Sequence, residues 1–251
     1  MEAIHHLPRQ QPADAGRAAN GLVDLPATEA LDAQLRQQGY AHLPGLLASS
    51  PCREIAALYA SADLFRSRVI MARHGFGQGE YQYFAYPLPP VIDALRHALY
   101  PSLATIANHW QQALGSETRY PARLTDFLKQ CHAAGQTRPT PLLLQYGAGD
   151  FNCLHQDVYG PLVFPLQLAI LLSRPGHDFD GGEFVLTEQR PRQQSRVHVV
   201  PLQQGDAVIF PVRERPVIGT RGIYRTQMRH GVSKLHRGHR HTLGLIFHDA
   251  A

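Results

Sequence analysis

The chain is 251 residues long and 44% hydrophobic, with a formal net charge of +4 and three cysteines. That length and apolar fraction suffice for a full globular core, and they exclude a disordered chain or a small disulfide scaffold. No stretch approaches the roughly 18 consecutive apolar residues of a membrane span. Met1 to Gly21 has no apolar centre of a secretory signal; rich in Gln, Pro, Ala and Arg, it reads as a disordered segment. Cys52, Cys131 and Cys153 are odd in number and unpatterned, which points to the reducing cytoplasm, and Cys153 reads as a small buried hydrophobe. Residues 22–251 are expected to form one domain.

Thr28 to Gln38 carries Leu31 and Leu35 on one face, a Thr cap and Gly39 as a stop, which predicts an amphipathic helix. Tyr40 to Leu47 follows as a strand. Ser50-Pro51 opens a second helix, with Pro at the first helical position and Ile55, Leu58, Tyr59 and Ala62 on one face. This pair should pack on one side of a sheet. Arg66 to Met71 is strand-like. The glycines of residues 75–79 and the rings of Tyr81, Tyr83, Phe84 and Tyr86 make residues 76–86 either a glycine-hinged lid or a hairpin on a barrel edge. Pro90 to Leu114 has helical periodicity, with Trp110 in the core and a break or kink at Tyr100-Pro101. Pro121 to Ala134 is a further helix, stopped by Gly135.

From Leu142 the apolar period changes to that of strands: Leu142–Tyr146, Leu154–Val158, Phe164–Leu172, Glu183–Thr187, Arg196–Val200, Ala207–Val212, Gln227–Ser233 and Thr242–His248. Eight strands at this spacing suit a double-stranded β-helix, or jelly roll, whose facing sheets enclose a pocket. The fold class is therefore mainly β with N-terminal helices. Residues 22–141 would be helical support and possible lid, and residues 142–251 the core.

Chemistry concentrates in this second half. His155 and Asp157 are two apart, so on an extended strand both point to one face, and His230 lies far downstream. Two imidazoles and a carboxylate are the donors of the facial triad that holds non-haem Fe(II) with coordination positions left open. Arg240 follows at the start of the apolar run to Phe247, and an Arg aimed into a sheet interior needs an anion, its fork matching a carboxylate. Arginines also cluster between the two halves of this site, at Arg190, Arg192 and Arg196 and at Arg213, Arg215, Arg221, Arg225 and Arg229. They are either solvated or the footprint of an anionic partner.

Residues 142–248 resemble the 2-oxoglutarate- and Fe(II)-dependent dioxygenases, through the HxD pair, the distal His and the Arg about ten residues later. Gly181-Gly182-Glu183-Phe184 and Gln204-Gly205-Asp206 resemble turns of the prolyl-hydroxylase-like members. Over most of its length the chain is similar to a bacterial group of the superfamily assigned on sequence grounds to nucleic-acid oxidation. The resemblance implies Fe(II), 2-oxoglutarate and O₂ as cofactors, with His155, Asp157 and His230 on the metal and Arg240 on the far carboxylate of 2-oxoglutarate. It also implies Tyr146, Thr242 and Gln167 as further co-substrate contacts; His241 and His248 could be misread as ligands, but His241 alternates away from Arg240 and so faces outward. The substrate would be a nucleic acid that is hydroxylated or oxidatively demethylated, with a peptide or a small molecule as alternatives. Two rivals remain: a cupin-type metal isomerase or hydrolase, which needs more clustered histidines, and a metal-free jelly-roll binding module.

Overall fold

The computed structural model describes residues 25–251, apart from residue 221. The expected disorder of residues 1–21, and Arg221, therefore lie outside the described residues. Helix α1 (Thr28–Gln38) ends at Gly39 as expected, but its N-cap is Ala27 and no side chain caps it, because Thr28 is already helical. Strand β1 (Ala41–Leu43) is shorter than the predicted segment. Helix α2 (Ser49–Ala57) places Pro51 third rather than first, still within the turn whose N–H groups have no helical acceptor. Leu58 and Tyr59 fall in a 3-10 turn after it.

Strands β2 (Phe65–Ile70), β3 (Gly77–Gln78) and β4 (Glu80–Phe84) decide the question of residues 76–86. β4 pairs with β2 on one side and with β5 (Leu142–Tyr146) on the other, so the aromatic segment is sheet rather than lid. Its alternation divides the rings. Phe84 stacks on Phe65 towards the helices, whereas Tyr81 lines the cavity and Tyr83 packs beside it. Of the break or kink expected at Tyr100-Pro101, the break does not occur: helix α3 (Pro90–Ala113) continues through Pro101, and α4 (Leu124–Ala133) starts three residues later than predicted. Trp110 is core.

The remaining strands are β6 (Phe151–His155), β7 (Leu166–Leu171), β8 (Phe179–Gly181), β9 (Phe184–Gln189), β10 (Arg196–Val200), β11 (Ala207–Pro211), β12 (Glu214–Gly219), β13 (Gly222–Val232), β14 (Leu235–Gly238) and β15 (Arg240–Ile246). The major sheet runs β1-β11-β7-β15-β5-β4-β2, and the minor sheet runs β10-β9-β13-β6-β3 with β12 paired to β13. Two apolar layers hold them. Leu31, Leu35 and Ile55 of the helices pack with Leu143, Ile170, Ile209 and Leu245 on the outer face of the major sheet. Leu171, Phe184, Leu186, Val208, Phe210 and Val232 fill the space between the sheets. Each such side chain contributes about 1.5–3 kcal/mol by leaving water. No helix among the described residues is long and apolar enough to cross a membrane.

Candidate metal and co-substrate site

His155 ends β6 and His230 lies opposite it on β13, with their Cα atoms in register, so the two imidazoles leave the minor sheet side by side. Their ring centroids are 4.1 Å apart. Asp157 is not on the strand. β6 spans Phe151–His155 rather than the predicted Leu154–Val158, because at Gln156 the side chain takes over from the ladder: its Nε2 donates to the Met228 carbonyl at 2.8 Å and the Arg213 carbonyl at 3.0 Å. The Asp157 carboxylate nevertheless reaches both rings, with Oδ2 3.2 Å from His230 Nε2 and Oδ1 3.6 Å from His155 Nε2. One donor atom from each of His155, Asp157 and His230 lies within 4.8 Å of the others.

Tautomer and charge suit a metal. His155 Nδ1 lies 2.8 Å from the Cys153 carbonyl; donating its N–H there leaves the Nε2 lone pair facing the cavity. Burial lowers the His230 pKa and the neighbouring His155 adds to this, against the pull of Asp157; the neutral imidazole is the ligating form. Phe210 and Phe184 pack on the His230 ring, with centroids at 4.7 and 6.1 Å. A hard carboxylate with two imidazoles on one side of an open cavity is a donor set that fits Fe(II).

Arg240 opens β15 with its Cα opposite Tyr146 of β5, so it belongs to the major sheet. It is 1% exposed, and its Nη1 donates to Thr242 Oγ1 at 2.5 Å. The guanidinium carbon lies 5.7 Å from the Tyr146 ring centroid and 5.8 Å from that of Phe179. Among the described residues three arginine side chains are fully buried: Arg96 is paired with Asp249 at 2.9 Å, Arg215 with Glu188 at 2.7 Å, and Arg240 with no carboxylate. Burial lowers its pKa to about 10, partly offset by Tyr146 and Glu183, so it is still a cation at neutral pH. Among the described residues its Nε has no partner, and neither does Nε2 of the buried Gln167 on β7. Gly182 makes room for the arginine stem: at φ +62°, a Cβ there would lie 2.4 Å from Leu235 Cδ1 and 3.1 Å from Arg240 Cδ.

The structure brings all seven sequence-derived residues, His155, Asp157, His230, Arg240, Tyr146, Thr242 and Gln167, to one cavity of about 300 Å³ between the sheets. Tyr159 also lines it and was missed, although it follows Asp157 at the same two-residue spacing that drew attention to the HxD pair. Phe76 and Leu154, both about half exposed, stand at its mouth. Cys153 is exposed there, not buried. His241 is absent from the cavity lining and only partly exposed, packing edge-on against Tyr59. His248 is buried, with Nδ1 accepting from the Phe164 N–H at 3.2 Å.

The arginine clusters thin out. Arg190 and Arg215 both pair with Glu188, and Arg225 pairs with Glu214. Arg192, Arg196, Arg213 and Arg229 are exposed. Of these, Arg213 accepts at its backbone carbonyl from Gln156, which lines the cavity.

A jelly roll that gathers two imidazoles and one carboxylate at its cavity defines a class, and this chain is a dioxygenase of the 2-oxoglutarate- and Fe(II)-dependent superfamily. Within it, residues 79–250 match Oxygenase-NA, described as an oxygenase catalysing oxidative methylation of damaged DNA. The chain belongs to that family. An uncharacterized protein of Mycobacterium tuberculosis strain H37Rv, Rv2227, is 54% identical over 168 residues, which is 67% of this chain and 72% of the relative. In fold, the chain is similar to an oxidoreductase of the 2OG-Fe(II) oxygenase family from Burkholderia pseudomallei, with a TM-score of 0.51 at 17% identity over 91% of this chain and 94% of the other. It is likewise similar to a Pseudomonas putida prolyl-4-hydroxylase, with a TM-score of 0.50 at 16% identity over 87% and 96% of the two chains.

Proposed function

We propose that His155, Asp157 and His230 hold the Fe(II), that Arg240 with Thr242 takes the far carboxylate of 2-oxoglutarate, and that the substrate is a base of a nucleic acid. The observation that carries this reading is a fully buried guanidinium without a carboxylate partner among the described residues, facing the same cavity as the donor triad. A bidentate carboxylate satisfies that charge, and Tyr146 and Gln167 add polar atoms along the same wall. When bound, the iron supplies insertion of one oxygen atom of O₂ into a substrate C–H bond, while 2-oxoglutarate becomes succinate and CO₂. The protein orients the reactants, neutralises the dicarboxylate and excludes water. Residues 22–251 act as one domain in which the helices brace the major sheet. Three free cysteines suit the reducing cytoplasm.

A nucleic-acid substrate is supported by the description of the family and by the mouth, where Phe76 and Leu154 offer apolar surface to a base. Hydroxylation of a base N-methyl carbon gives a hemiaminal that loses formaldehyde, leaving the unmethylated base. Phe76 and Tyr81 also fit a proline ring, which makes a proline-containing peptide the second reading. The test is succinate release with Fe(II) and 2-oxoglutarate over methylated oligonucleotides and proline-containing peptides. Turnover on an oligonucleotide, with formaldehyde formed in equal amount, is the expected result. Turnover on the peptides alone would overturn the nucleic-acid reading.

A further inference from the structure

Asp157 is the one member of the donor triad that no strand holds. Its position comes from elsewhere. The Tyr159 hydroxyl donates to Asp157 Oδ1 at 2.5 Å, and the Tyr83 hydroxyl donates to Tyr159 at 2.9 Å. A phenol keeps a single proton at neutral pH, so once Tyr159 has given its own to the carboxylate it can only accept from Tyr83. The order Tyr83 to Tyr159 to Asp157 is therefore fixed by proton count. At its far end the chain rests on rigid structure: Tyr83 lies on β4 between β2 and β5, with the Arg66 guanidinium 4.5 Å from its ring centroid. The Tyr83 and Tyr159 rings meet edge-on, with centroids 6.1 Å apart.

Resting on the metal reading above, we propose that Tyr159 is a positioning residue for the Asp157 carboxylate, and that Tyr83 acts on the metal site only through Tyr159. The hydrogen bond commits Oδ1, leaving Oδ2, the oxygen nearest His230 Nε2, as the single metal donor. A carboxylate free to turn could chelate through both oxygens and take a position that the co-substrate or O₂ needs. The aromatic strand thus has a second task. Besides completing the sheet, it anchors a ligand borne on a loop.

The test uses the full chain stripped of metal and titrated with Mn(II), with free ion followed by electron paramagnetic resonance. Tyr159→Phe is expected to weaken binding about 10- to 100-fold, the usual scale for losing a partner of a metal ligand. Tyr83→Phe should weaken it less, and should add nothing in the Tyr159→Phe background. The visible spectrum of the Co(II)-loaded protein should change in Tyr159→Phe as the carboxylate binding mode changes. Wild-type Mn(II) affinity in Tyr159→Phe, with Asp157→Ala having lost it, would overturn the proposal and leave the metal site standing. Equal losses from Tyr83→Phe in both backgrounds would overturn the relay. If wild type and Asp157→Ala bind Mn(II) alike, the metal reading itself falls and this proposal falls with it.

Discussion

At the residue scale, burial without a partner marks function more sharply than residue type. Arg96, Arg215 and Arg240 are equally hidden, yet two of them face carboxylates of the fold and the third faces the cavity. Arg240→Ala should therefore leave Mn(II) binding intact and raise the 2-oxoglutarate concentration needed for half-maximal turnover. Truncating one side of a buried charged pair costs about 2–5 kcal/mol, and Arg240→Lys should recover part of it. Titration of 2-oxoglutarate at saturating Fe(II) checks this, and an unchanged requirement would assign the far carboxylate to another cation. His248 makes a different prediction. Burial lowers its pKa to about 4, while an unfolded chain takes the proton near 6.5. Between those values the unfolded state binds the extra proton, so this contribution is full above pH 6.5 and is lost as pH falls towards 4. It amounts to about 3 kcal/mol over the whole window. His248→Leu should lower stability at pH 7, since the Phe164 N–H loses its acceptor, but flatten the acid slope; denaturant unfolding at pH 7 and pH 5 measures both.

At the scale of elements, the HxD pair converges on the cavity for a reason other than strand alternation. The strand stops at His155, and Asp157 returns to the site on a loop held by Gln156 and Tyr159. Neither hydrogen bond leaves a trace in hydrophobic periodicity, which is why the ligands were legible and their support was not. The short strands β3, β8 and β14, and the β12 half of the β12–β13 hairpin, escaped for a related reason: two to six residues carry too little pattern to be read alone. Gly231 was legible only as a letter beside His230. In the structure it lies where β13 crosses β6, and a Cβ there would lie 2.6 Å from the Asn152 carbonyl oxygen and 3.3 Å from Cys153 backbone atoms. Backbone cannot swing aside as a side chain can. Gly231→Ala should push β6 outward, separating His155 from His230 and weakening Mn(II) binding about tenfold or more while the outer layers remain folded. Wild-type affinity in this variant would show that β6 accommodates the methyl group.

At the scale of the whole molecule, the run of strands was readable because the apolar period changes at Leu142; His155, Asp157, His230 and Arg240 were readable from their chemistry and spacing, and Tyr146, Thr242 and Gln167 only through the family resemblance. The aromatic segment was ambiguous, since alternation within five residues cannot distinguish a strand of the sheet from a cover over it; pairing with both β2 and β5 settles that point. What sequence could not supply is the partition of the site. The imidazoles stand on β6 and β13 of the minor sheet, while Arg240 and Thr242 stand on β15 of the major sheet.

A dicarboxylate gripped by metal at one end and by arginine at the other would therefore be a strut between two walls. Each anchor raises the worth of the other, and thermodynamic reciprocity demands that the gain be the same whichever is seated first. Melting temperature should rise with 2-oxoglutarate far more when Mn(II) is present than when it is withheld, and that difference should vanish in Arg240→Ala. An equal rise in both cases would mean that the co-substrate leans on one wall alone. With the strut in place, the separation of the two sheets would be set by the bound co-substrate, and the aperture presented to a substrate would become a property of the loaded enzyme rather than of the bare fold.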